Sequence, residues 1–96
     1  MSKVDAYTID QSDTVAVALE DVCAGTVARV RIGIEVTAVR LRSDIPLGHK
    51  FAVVAMASGG AVVKYGAVMA RATTDIAIGE HVHVHNAASN RARTAQ

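Results

Sequence analysis

A mostly β fold of short strands joined by tight turns is what this 96-residue chain predicts. Three observations carry that expectation. Apolar residues recur with short periods, the β-branched Val, Ile and Thr are frequent, and Gly, Pro, Ser or Asp punctuates the apolar segments. Residues 15–19 form the first candidate strand. Val27–Ile32 alternates Val, Ala, Arg, Val, Arg, Ile, which puts Arg29 and Arg31 on one face of a second. Gly33 then bends or turns the chain into residues 34–41, with Glu35, Thr37 and Val39 on one side and Val36, Ala38 and Arg40 on the other. Residues 50–54, 61–64, 68–72 and 81–85 are the remaining strands. A five-residue unit recurs between them as Asp21-Val22-Cys23-Ala24-Gly25, Asp44-Ile45-Pro46-Leu47-Gly48 and Asp75-Ile76-Ala77-Ile78-Gly79. It reads as a single helical or 3₁₀ turn capped by the acid, with an apolar residue tucked inward and the glycine supplying a positive φ. The unequal spacings, 23 and 31 residues, argue against a solenoid. Residues 1–12 read as an N-terminal extension, 13–86 as the one domain, and 87–96 as a flexible C-terminal tail.

Composition narrows the function classes. A chain of this size buries about 64% of its unfolded surface, and Tyr7, Phe51 and Tyr65 are its only aromatics, so the core is thin and built mainly of Ala and Val. Ten Lys plus Arg against nine Asp plus Glu leave a formal charge of +1. That is a weak field for a phosphate backbone or an anionic membrane, and neither nucleic acid nor membrane is an expected partner. The lone Cys23 makes neither an internal disulfide nor a thiolate zinc site. No apolar run approaches the roughly 18 to 20 residues that cross a bilayer. The first residues carry Asp5, Asp10 and Asp13 instead of a basic start and an apolar stretch, so a cytoplasmic protein is expected. Strand edges over a thin core leave a homo-oligomer open.

Chemistry concentrates in three places. In Gly79-Glu80-His81-Val82-His83-Val84-His85-Asn86, strand periodicity would set His81, His83 and His85 on one face and Val82 with Val84 on a buried one. Such a face suits metal ligation through neutral nitrogens, a substrate- or partner-facing edge, or plain solvation. His49-Lys50 follows the Pro46-Leu47-Gly48 turn, where the pair would bind a carboxylate, donate a proton or cap the turn. Lys64-Tyr65-Gly66 places a cation beside a half-buried phenol. Gly-x-Gly-x-x-Gly, a phosphate loop and a Gly-x-Ser-x-Gly elbow are all missing. The histidine strand alone lacks an evident base and lid, which argues against a self-sufficient metal enzyme.

Taken together, Asp44-Ile45-Pro46-Leu47-Gly48-His49-Lys50, Lys64-Tyr65-Gly66 and residues 75–86 resemble the amino-terminal domain of the altronate and galactarate dehydratase family. Asp13-Thr14-Val15-Ala16-Val17-Ala18-Leu19 and Ala24-Gly25-Thr26 extend the resemblance upstream, while Met69-Ala70 stands where the family pattern leads us to expect Ile-Gly. The resemblance implies an SAF-like β-clip domain and elimination of water from a hydroxy acid. It implies Fe(II) or Mn(II), held mainly by a large catalytic lyase subunit that would be this chain's partner. It further implies His49 and His85 as catalytic residues, Lys50, Lys64, His83 and Asn86 as substrate-binding residues, and His83 with His85 as candidate metal ligands. Met1 and the polar tail favour a small subunit over an excised fragment. The competing expectations are a non-catalytic module that binds a small anion and the small subunit of a sulfolactate sulfo-lyase.

Overall fold

A computed structural model of the chain describes residues 3–89. Its strands in chain order are β1 (Ala6–Tyr7), β2 (Val15–Ala18), β3 (Val27–Ile32), β4 (Glu35–Arg40), β5 (Lys50–Ala52), β6 (Ala61–Lys64), β7 (Ala67–Ala72), β8 (His81–Val82) and β9 (Ala87–Ser89). Six of them form one sheet in the order β4-β3-β1-β2-β5-β8, and β6-β7-β9 forms a second. Neighbours are antiparallel except β1 and β3, which run parallel. The mostly β expectation holds.

The near-continuous apolar run of β2 has a plain cause. Ala16 and Ala18 face a cluster with Ala6, Ala28, Val30, Leu41, Ile45 and Phe51, whereas Val15 faces a second with Ala52, Met56, Val62, Ile76 and Val82. Strand β5 does the same, sending Phe51 to the first cluster and Ala52 to the second. A strand buried on both faces cannot alternate. By contrast β3 alternates cleanly, with Ala28 and Val30 buried and Arg29 and Arg31 exposed, because its other face meets solvent. The alanines of the first cluster leave room for Phe51, the chain's one phenylalanine, which is fully buried. Thr14 ties the sheets together: its N–H donates to Val63 O, its hydroxyl accepts from Val63 N, and its carbonyl accepts from Val53 N.

The folded unit is wider than residues 13–86. Strand β1 lies inside the expected N-terminal extension, wedged between β3 and β2 with Ala6 fully buried. At the other end β9 takes three residues assigned to the tail and pairs Ala87 to Ser89 with Ala72 to Ala70. The rest of the expected tail lies outside the described residues.

The five-residue unit works by pairing. Val22 bridges Ile45, and Met56 bridges Ile76. Asp21 accepts from Leu47 N and Asp44 from Ala24 N, so each acid caps the other copy's turn. Asp75 accepts from Ser58 N in the same way. Ala55-Met56-Ala57-Ser58-Gly59 is therefore a fourth copy, with Ala55 where the others carry Asp. In every copy the glycine N–H and the next residue's carbonyl close on one residue: Leu41 for Gly25, Ala18 for Gly48, Ala72 for Gly59 and Ala52 for Gly79. The expected helical turn is instead a reverse turn, and the described residues contain no helix.

Candidate functional site

Register assembles the site. On the β5–β8 ladder Lys50 lies opposite Val82 and Phe51 opposite His81. His49, one residue before β5, is fixed by its N–H to Pro46 O and by its carbonyl, which accepts from Ala18 N. This brings the ring of His49 against two histidines more than thirty residues away. Its Nδ1 lies 3.0 Å from His81 Nε2, and its centroid is 4.9 Å from that of His83. His81 and His83 stack at 5.3 Å and 10°. One ligand nitrogen from each of His49, His81 and His83 falls within 4.8 Å of the other two.

The expected strand through His85 stops at Val82. Beyond it the chain folds around Asn86, only 1% exposed, whose Oδ1 accepts from His83 N and whose Nδ2 donates to His81 O. Asn86 N and Ala87 N both donate to His83 O. Those bonds take up backbone groups that a longer ladder would have needed, so Val84 turns out at 82% exposure instead of joining buried Val82. His81 and His83 still share a side, for a reason other than strand alternation. His85 reaches the same rim, with its ring 5.6 Å from that of His81, and lies outside the converging set. Both ends of the Asn86 amide are engaged within the loop.

Cations line the other side. Lys50 is half-buried and borders a cavity of about 240 Å³ together with Val62, Met69, Val82, His83 and Ala87. Burial, and then the Lys64 ammonium nearby, pushes its pKa below the ordinary lysine value. Lys64 stacks over the Tyr65 ring at 4.8 Å, and the Tyr65 hydroxyl lies 3.2 Å from that of Tyr7. Burial followed by the His49, His83, His85 and Lys50 charges lowers the pKa of His81, which favours its neutral form. Among the described residues the ion pair is Lys3 with Glu20, so neither Lys50 nor Lys64 has a carboxylate partner. An ammonium group without a carboxylate partner among the described residues, set beside imidazoles and a cavity as Lys50 is, can receive an anion and exchange protons with it.

Tyr65-Gly66 is a two-residue β6–β7 turn in which both residues have positive φ, 56° and 78°. A non-glycine residue rarely adopts this conformation. The buried Asp13 carboxylate holds the turn, accepting from Gly66 N at 2.8 Å and from Ile9 N and Asp10 N at 3.1 Å.

His81 is the member of the converging set absent from the expected site residues. Its sequence signal, the shared spacing with His83, was visible; its meeting with His49 depends on the β5–β8 register.

Residues 4–90 match the altronate/galactarate dehydratase SAF domain. Altronate dehydratase of Escherichia coli (strain K12) is 45% identical over 78 residues, covering 81% of this chain and 15% of that protein. The Bacillus subtilis (strain 168) altronate dehydratase is 37% identical over 82 residues, 85% of this chain and 16% of that one. The (2R)-sulfolactate sulfo-lyase subunit alpha of Paracoccus pantotrophus is 40% identical over 50 residues, 52% of this chain and 75% of that subunit. The chain thus spans about a sixth of the altronate dehydratases it matches.

Proposed function

The chain belongs to the altronate/galactarate dehydratase family as its SAF domain, and from that premise we propose that it is the small subunit of a cytoplasmic lyase that eliminates water from a sugar-derived hydroxy acid. The observation that carries this reading is the meeting of Lys50, which has no carboxylate partner among the described residues, with His49, His81, His83 and His85 along one rim, with Lys64 close enough to Lys50 for its charge to be felt there. The ammonium groups would hold the substrate carboxylate. His49 and His85 would take the proton next to it and protonate the departing hydroxyl, while Asn86 keeps the histidine loop in place. A large subunit would close the site and supply most of the machinery. A divalent ion, Fe(II) or Mn(II), would contribute positive charge against the carbanion-like charge that develops as the proton leaves.

A second reading rests on the similarity to sulfolactate sulfo-lyase subunit alpha, which covers 75% of that subunit. There the leaving group would be sulfite instead of water. Co-expression with a family large subunit, followed by a panel of aldonic, aldaric and sulfonated hydroxy acids, separates the two by the release of keto acid or sulfite. Neither chain alone should turn over substrate, and His49→Ala or His85→Ala should each slow the pair by about 10²- to 10⁴-fold. Full activity of both variants would overturn the reading, as would full activity of the large subunit without this chain.

A further inference from the structure

We propose that His49, His81 and His83 form a metal site belonging to this chain, which binds one divalent ion of the nitrogen-preferring class, such as Fe(II), Co(II), Ni(II) or Zn(II). The lyase reading above puts the ion mainly on the large subunit. This site goes beyond that reading and does not rest on it; with the ion bound, His49 is a ligand and the proton transfers assigned to it above fall to His85.

The geometry comes first. Three imidazoles on a tetrahedral ion with bonds of about 2.0 to 2.1 Å place their nitrogens about 3.4 Å apart. His49 Nδ1 and His81 Nε2 already stand at 3.0 Å, and all three nitrogens lie within 4.8 Å of one another. His83 is exposed, so solvent and not packed core lies on its open side, and closing the set asks for movement of its ring alone. The backbones that carry the rings are fixed independently of any ion. His49 sits in the Gly48 turn against Ala18, His81 on the β5–β8 ladder, and His83 in the loop clamped by Asn86.

The donor set then selects the metal. Among the described residues the cluster contains imidazoles alone, with no carboxylate or thiolate. Imidazole suits late first-row ions, while Mn(II), Mg(II) and Ca(II) prefer oxygen, so this site should reject Mn(II) and follow the order Mn < Fe < Co < Ni. Three neutral ligands leave a full double positive charge and at least one open position. Lys50 adds a further cation, and His83 borders the 240 Å³ cavity. An anion with a carboxylate or hydroxide oxygen is the group that would complete the coordination.

Titration of the chelator-treated chain with Co(II), followed by visible absorption, tests the site without substrate or partner. The expected result is one saturable equivalent with the intense bands of a low-coordinate Co(II) centre, displaced by one equivalent of Zn(II) and not by Mn(II). His49→Gln, His81→Gln and His83→Gln should each weaken binding at least tenfold, which is the lower end of what even outer-sphere changes cost. His85→Gln should change it by less than about threefold, a small fraction of that range. Thermal unfolding of each metal-free variant checks the fold, and His83, exposed on its loop, is the position least coupled to it. Absence of saturable binding, binding by the three variants as tight as that of the unaltered chain, or an equal loss with His85→Gln would each overturn the site. Because only the ion is read, an inactive lyase that binds Co(II) leaves the site standing, and an active lyase that does not bind it leaves the function standing.

Discussion

Asn86 and Asp13 show how single polar side chains hold this molecule's functional edge. Asn86 is buried and both donates and accepts, to His81 O and from His83 N. Asn86→Asp keeps the shape and the acceptor but loses the donor and turns a carboxylate oxygen toward a carbonyl. It should therefore destabilise the chain about as much as Asn86→Ala, by about 2 kcal/mol. A urea midpoint measures this, and a side chain that served substrate alone would leave the midpoint unmoved. For Asp13, burial by itself would raise the pKa, but the amides of Gly66, Asp10, Ile9 and Tyr65 outweigh it, and the net shift lies below the ordinary value of 3.8. A carboxylate depressed in the folded state contributes stability above its unfolded pKa and loses that contribution as pH falls through the folded one. Midpoints should thus hold from neutral pH down to about 5 and then decline, and Asp13→Asn should flatten the decline. The Thr8 hydroxyl is buried with no hydrogen-bond partner among the described residues, so Thr8→Val should raise the stability read from the midpoint, by about 1 kcal/mol.

The repeated turn sets the terms for elements. A side chain at Gly25 would meet open space and cost only its left-handed φ of 87°, about 1 to 2 kcal/mol. At Gly79, with φ 90°, a Cβ would overlap the carbonyl oxygen of Arg40, and Arg42 N already donates to the Gly79 carbonyl. Gly79→Ala should leave the chain unfolded at temperatures where Gly25→Ala melts cooperatively, as circular dichroism would show. The sequence made three copies of this turn legible because they share Asp and Gly. The fourth stayed hidden because Ala55 cannot cap, although Gly59 keeps the same φ of 86°. Alternation revealed β3, where one face is wet. It misled at residues 83–85, where His-Val-His fits a strand equally well and a side chain three residues away decides otherwise. Strands β1 and β9, with two and three residues, have no local signal; they exist because β3 and β7 offer them edges. The site divides along the same line. The candidate residues carry their chemistry in their identities, while the meeting of His49 with His81 is a product of tertiary register.

At the scale of the whole molecule, the two apolar clusters have a common wall. Ala16 pairs with Phe51 and Val15 with Ala52 across the β2–β5 ladder, so adjacent residues of the same two strands face opposite clusters. Neither cluster can lose that wall and remain closed, and Thr14 bonds the wall's leading edge to β6. The histidine and lysine rim hangs from the same place, since His49 immediately precedes β5, Lys50 opens it and His81 pairs with Phe51. Damage to the first cluster should therefore reach the second cluster and the rim. Phe51→Ala removes the largest buried side chain and should cost about 3 to 5 kcal/mol, much of the stability of a domain this small. Hydrogen exchange followed by mass spectrometry would locate the loss. If the wall couples the clusters, amides of β6 and β7, which Phe51 does not face, should speed up by the same factor as those of β3, because all exchange through one global opening. If the β6–β7–β9 sheet is an independent unit, its amides would keep their protection while β1 and β3 lose theirs, and the single-wall account would fail.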